Sequence, residues 1–205
     1  MRVRTHTNPF NYFMRMPKAD FPAIFPTYSG EMDFEVGFGR GIFIRQYAAT
    51  NPNRHIVGVE VRKQMVTLLQ ERITAFCMPN VHLIHGNAQI CLEDVIPDAC
   101  IGHLFIFHPD PWFKKRHHNR RVINPAFLDL ISQKLKPAGK LYLSTDVTEL
   151  WEYMDETVRQ HPHFIPTTDD AFWEETYQTH WHAFSEKDQR PNHYGVYTRA
   201  HSRSN

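Results

Sequence analysis

Five short apolar runs lie between residues 32 and 146, and the stretches between them carry helical spacing. The runs are MDFEV, HIVGVEV, VHLIHG, IGHLFIF and KLYLSTD, each of strand length and bounded by turn residues. Between the second and third, RKQMVTLLQERITAF repeats apolar side chains at Met65, Leu68, Leu69, Ile73 and Phe76, the spacing of one helix face. GIFIRQYAAT, a short piece near 88–95, AFLDLISQKL and VTELWEYMDETVRQH supply further helices. Asn124-Pro125 gives AFLDLISQKL a cap and a proline at its first position, and Pro137-Ala-Gly139 turns the chain into the fifth strand. Strand and helix in this alternation predict an α/β fold with a doubly wound, mostly parallel sheet. The last 45 residues read differently, with extended pieces near 163–166 and 194–199 around a loop rich in His and Trp.

A chain of 205 residues holds one such domain, here expected over 31–205. Residues 1–30 carry Arg2, Arg4, Arg15, Lys18 and four prolines without periodicity, and read as a basic, irregular arm with room for one short helix. Its aromatics, Phe10, Tyr12 and Phe13, either touch a binding partner or cover the sheet. The net charge of +1 says nothing about a local patch, whereas 14 histidines predict a more cationic protein just below neutrality. Cys77, Cys91 and Cys100 are scattered, with the last two in apolar surroundings, which fits buried thiols in a reducing cytoplasm. The start of the chain has no apolar leader and no run approaches ~18 apolar residues, so neither secretion nor a membrane partner is expected. Monomer and homodimer both stay open.

EVGFGRG joins the first strand to the first helix of the alternation. Gly37, Gly39 and Gly41 let the backbone turn tightly and approach a ligand. The spacing is G-x-G-x-G, not the G-x-G-x-x-G of nicotinamide binders, and Glu35 stands two residues before the first glycine. That is the loop of S-adenosylmethionine binders. Glu60, ending the second strand, can accept both hydroxyls of a ribose, with a solvated strand-end charge as the plain alternative. Asn87, after the third strand, can offer its amide to an adenine edge or simply serve a turn.

IGHLFIF ends in HPDPW, and five Lys/Arg and two His follow between Lys114 and Arg121. Asp110, held between two prolines at a strand end, suits gripping the edge of a base. Trp112 walls that pocket, stacks on a base or is plain core. Lys114 is placed for a nucleotide's phosphate or the base itself, and Arg116, Arg120 and Arg121 for an RNA backbone. Five such contacts give a slope of log affinity against log salt of about −4. Histidines paired at 117–118, 161/163 and 180/182 have no Cys or carboxylate at ligand spacing, so no metal is expected.

With those residues in view, the chain resembles the bacterial tRNA (guanine-N7-)-methyltransferase family over most of its length. The resemblance is carried by MRVRTH, EVGFGRG, GVEV, PDPWFKKRHHNRR, and STD followed by Trp151 and Tyr153. It implies a seven-stranded sheet with its last strand antiparallel, S-adenosylmethionine as cofactor and tRNA as partner. It implies a cofactor pocket lined by Glu35, Gly37, Gly39, Gly41, Glu60, Asn87 and Asp110, with Asp110 also catalytic. Lys114 and Asp146 would bind the target guanine, and Arg116, His117, His118, Asn119, Arg120 and Arg121 the RNA. The chain departs from the family twice. Asn87 stands where an aspartate is common, and Thr179-His-Trp-His182 matches the family's T-x-F/Y-E segment with His182 in place of the glutamate. Methylation of another RNA or another guanine, or RNA binding without catalysis, are the competing readings.

Overall fold

The computed structural model describes residues 15–200. Arg2, Arg4, Phe10, Tyr12 and Phe13 lie outside them. Seven strands form one sheet in the order β3-β2-β1-β4-β5-β7-β6. The strands are β1 (Met32–Val36), β2 (Ile56–Glu60), β3 (Val81–His85), β4 (Ile101–Phe107), β5 (Leu135–Thr145), β6 (Phe164–Thr167) and β7 (His193–Arg199). Neighbouring strands from β3 to β5 pair in parallel, and β7 runs antiparallel to both β5 and β6. The helices are α1 (Phe21–Ile24), α2 (Ile42–Thr50), α3 (Lys63–Ala75), α4 (Ala88–Asp94), α5 (Pro125–Lys134), α6 (Thr148–Arg159) and α7 (His180–Lys187).

Side chains that alternate along β4 divide the core in two. Leu104 and Ile106 join Leu92, Leu128, Leu150 and Met154 beneath α4, α5 and α6. Phe105 and Phe107 join Phe43, Tyr47 and Leu69 beneath α2 and α3. A strand covered on both faces reads as an unbroken apolar run, which is why IGHLFIF shows no alternation. The second face is strongly aromatic: Phe172 lies parallel to Phe105 at 5.6 Å and 4.3 Å from Tyr142, measured between ring centres.

Most elements fall where their patterns predict. Asn124 caps α5 by accepting from the Phe127 N–H at 3.0 Å, with Pro125 in the first turn. Within residues 15–30 the one short helix is α1, with Phe21 and Phe25 buried in the first core face and Arg15 paired with Asp94. Two features differ. The fifth strand starts at Leu135, opposite Ile101, and bulges over 136–139 before His103 meets Lys140. The His- and Trp-rich loop holds a wide helical turn at Phe172–Thr176 and then α7. No helical period announces that turn, since Phe172 is fixed by the aromatic cluster and not by neighbours in sequence.

Cys91 and Cys100 are buried thiols, as expected, and burial pushes them up to about 12 and about 11. One composition-level expectation changes. Burial also lowers the pKa of His55, His82 and His103, so the gain in positive charge below neutrality is smaller than 14 histidines suggest. No described helix is long and apolar enough to cross a membrane.

Candidate active site

The sheet order reverses between β1 and β4, and the crevice outside their carboxyl ends is where α/β sheets bind ligands. A cavity of about 450 Å³ opens there. The glycine loop, the ends of β1, β2 and β4, and Thr179, His180 and Trp181 line it.

The loop is built by backbone conformation. Gly37 adopts φ +73 with nothing within 4 Å of where a Cβ would stand, so the ligand side of the turn is open. Gly41 adopts φ +68, and a Cβ there would meet Leu69 at 2.4 Å, so glycine is required for the loop to pack on α3. Gly39 presents its N–H to Glu60 Oε2 at 3.0 Å.

Glu35 and Glu60 face the same cavity. Glu35 is buried, and its Oε2 has no hydrogen-bond partner among the described residues. Burial, and then the nearby Glu60, push its carboxyl well above the ordinary carboxylate range. Glu60 is in the opposite condition. Its Oε1 accepts from the Arg62 backbone N–H and Nε, both at 3.0 Å, and its Oε2 from Arg62 Nη2 at 2.9 Å besides Gly39. Sequence reasoning missed Arg62. The signal was a cation two residues beyond the strand-end acid, within reach of both carboxylate oxygens.

Asn87 lines the cavity, but its Oδ1 caps α4, accepting from Gln89 N–H at 2.8 Å and Ile90 N–H at 3.3 Å. The carbonyl oxygen expected to meet an adenine is thus committed to the helix.

Asp110 lines the cavity at the end of β4. His108 (φ +48) and Trp112 (φ +44) bracket its turn, both in the left-handed region. For side chains of this size that strain is worth roughly 1–3 kcal/mol each, and such strain collects at functional sites. Trp112 also lines the cavity, with the Arg120 guanidinium 5.1 Å from its ring centre.

The basic run forms a tight turn over Lys115–Arg120. Lys114, Arg116 and Asn119 are exposed, while His117, His118 and Arg120 are half-buried. Partial desolvation, and then Arg120, Arg116 and Lys114, lower the pKa of His117. Arg121 also lines the cavity, but it is held differently. Its side chain is 4% exposed, donates to the Pro111 carbonyl at 3.2 Å and to Glu149 at 2.8 Å, and lies 4.8 Å from the Tyr153 ring. Expected on the RNA backbone, it is instead a clamp holding the turn around Asp110 to α6.

Asp146 is also removed from its expected place. It is buried, and its carboxylate accepts from Ser185 Oγ and Arg190 at 2.9 Å each and lies 3.3 Å from His108 Nδ1. It does not line the cavity in which the guanine was expected. Thr179 does, with its Oγ1 accepting from the His182 N–H at 2.9 Å. His182 packs its ring 4.9 Å from that of Tyr177.

A family model described as "Putative methyltransferase" matches residues 30–198. A protein of Thermosynechococcus vestitus named tRNA (guanine-N(7)-)-methyltransferase is 33% identical over 172 residues, 83% of this chain and 81% of that one. A protein of the same name from Nitrosococcus oceani is 38% identical over 141 residues, 69% of this chain and 60% of that one, so the chain spans less than two thirds of this relative. Among solved structures, the 16S rRNA methyltransferase KamB aligns with a TM-score of 0.60 at 16% identity over 91% of this chain and 96% of its own. The aminoglycoside resistance methyltransferase NpmB1 aligns at 0.57 and 15% over 88% and 92%. These two share the fold with this chain. The sequence relatives go further: the chain belongs to the tRNA (guanine-N(7)-)-methyltransferase family.

Proposed function

We propose that the protein transfers a methyl group from S-adenosylmethionine to N7 of a guanine in the variable loop of tRNA. The observation that carries this reading is the shared cavity of Glu35, Glu60 and Asp110, with exposed cations directly beyond it. The residues present fit the cofactor. The unpartnered Glu35 oxygen answers to a cationic ligand, the open side of Gly37 admits a chain close to the backbone, and Glu60 suits ribose hydroxyls once Arg62 swings off it. When bound, the cofactor supplies an electrophilic methyl on a sulfonium.

Guanine N7 is a lone pair without a proton, so no general base is needed. The protein's work is to place the ring and exclude water. Asp110 accepts from the N1–H and N2–H₂ edge and opposes the positive charge that develops on the ring. Trp112 with Arg120 offers a flat cationic platform for a base or its phosphate. Lys114, Arg116 and Arg120 neutralise phosphates. His182, where the family has glutamate, favours a second reading in which another RNA or another guanine is the substrate.

The test is methyl transfer from labelled S-adenosylmethionine to tRNA lacking its modifications, with the product nucleoside identified by mass. N7-methylguanosine in the variable loop is the expected product. Cofactor binding without methylated tRNA would move the substrate to another RNA.

Glu35 makes a second prediction. Its folded pKa is raised, so its contribution to stability is full below the unfolded value of about 4.3 and is lost as pH rises through the folded one. Glu35→Gln removes that loss. Without cofactor, the variant should melt higher than the wild type above pH 6, with the gap closing toward pH 4. It should also bind the cofactor more weakly. A gap that stays constant with pH would contradict the assignment.

A further inference from the structure

His108 is a buried side chain that the methyl-transfer reading leaves unused. Its side chain is 1% exposed, and it stands directly before Pro109 and Asp110. Its backbone N–H donates to the Ser144 carbonyl at 2.8 Å. Its ring Nδ1 lies 3.3 Å from Asp146 Oδ1, and Nε2 lies 2.8 Å from the Tyr177 hydroxyl. That hydroxyl is 2.7 Å from Ser144 Oγ. The imidazole is thereby tied to the end of β5 on one side. On the other it is tied to Tyr177, two residues before the cavity wall at Thr179.

The backbone gives this tie its leverage. Pro109 and Pro111 each fix their own φ, so the turn carrying Asp110 moves as a stiff unit. Its orientation is set at the residues that flank it, His108 and Trp112, both held left-handed. Resting on the methyl-transfer reading above, we infer that His108 is a positioning residue, locking the Asp110 turn in one orientation against the Thr179–Trp181 wall. The carboxylate and the wall on which the base would rest then form one unit, braced through Tyr177 and Asp146. Arg190 and Ser185 complete the brace by holding the second oxygen of Asp146.

The experiment compares His108→Phe, Tyr177→Phe and the double variant, using the full chain with unmodified tRNA and S-adenosylmethionine. His108→Phe keeps an aromatic ring and loses both ring hydrogen bonds, and its kcat should fall about thirtyfold, as expected for a displacement approaching 1 Å. Tyr177→Phe removes one oxygen from a packed ring, so it tests the brace even if His108→Phe folds poorly, and its kcat should fall about tenfold. The KM for cofactor should stay within about twofold of the wild type in both, and the double variant should be no worse than His108→Phe, because residues acting as a unit are not additive. Four outcomes would overturn the inference: undiminished kcat in either variant, losses that multiply, a loss confined to KM, or a lower melting temperature with kcat intact. A wild type that methylates no tRNA would defeat the functional reading, and this inference with it. An active wild type with an equally active His108→Phe would defeat this inference alone.

Discussion

Asp110→Ala is expected to cut methyl transfer by about a hundredfold to a thousandfold while tRNA still binds. The size follows from the role. A preorganised carboxylate aimed at charge that develops in the transition state acts in a partly closed site and needs no reorganisation at the moment of reaction. Pro109 and Pro111 supply that preorganisation, and the left-handed residues on either side fix the direction of the turn. Asp110→Asn keeps the size and one acceptor but loses the charge, so its kcat should fall nearly as far. The dependence of tRNA affinity on salt should match the wild type in both variants, since no phosphate contact is removed. Steady-state rates with unmodified tRNA and a binding titration at several salt concentrations check both halves. A turnover number close to that of the wild type would end the catalytic assignment.

The second large effect separates two adjacent arginines. Arg121→Ala is expected to destabilise the fold by about 2–3 kcal/mol, because it leaves the Pro111 carbonyl without its donor and strips packing from Tyr153. For a chain of this length that corresponds to a melting temperature lower by roughly 5–10 °C. Glu149, a further partner besides His118, is 60% exposed and regains water, which keeps the loss below that of a broken buried pair. Arg120→Ala should leave the melting temperature nearly unchanged. It should make the slope of log affinity against log salt shallower by about 0.7–0.9, the value of one phosphate contact. With Arg121 withdrawn, four cations remain in the run and the whole slope should be about −3 in place of −4. Thermal melts and salt titrations of the two single variants decide the matter. Equal effects on the slope would return Arg121 to the RNA.

Arg120 and Arg121 also show how far the sequence can be read. They are neighbours of the same type in one charge run, and nothing local distinguishes them. Both line the cavity, but one lies over Trp112 and the other is locked against Glu149 and Tyr153 of α6. Asp146 makes the same point at the end of β5. As a strand-end carboxylate it reads like Glu60 or Asp110, yet Ser185 and Arg190, about 40 residues later in the chain, bury it. The clasp of Arg62 on Glu60 had a local signal, a cation two residues on, but whether that side chain folds back over its own strand end was settled only by the fold.

What the sequence determined by itself is what neighbours along the chain decide. The alternation of strand and helix, the glycine turn after β1, the cap at Asn124 and the proline-braced aspartate after β4 all rest on backbone preferences and on spacing within a few residues. The tertiary structure alone decided which charged groups keep their water. Burial is set by segments distant in sequence: α6 closing over Arg121, the 177–190 segment over Asp146, and the aromatic face fixing Phe172. A carboxylate stripped of water must take a protein partner or take up a proton, a guanidinium must take a partner, and the identity of that partner is settled only when the chain has folded around it.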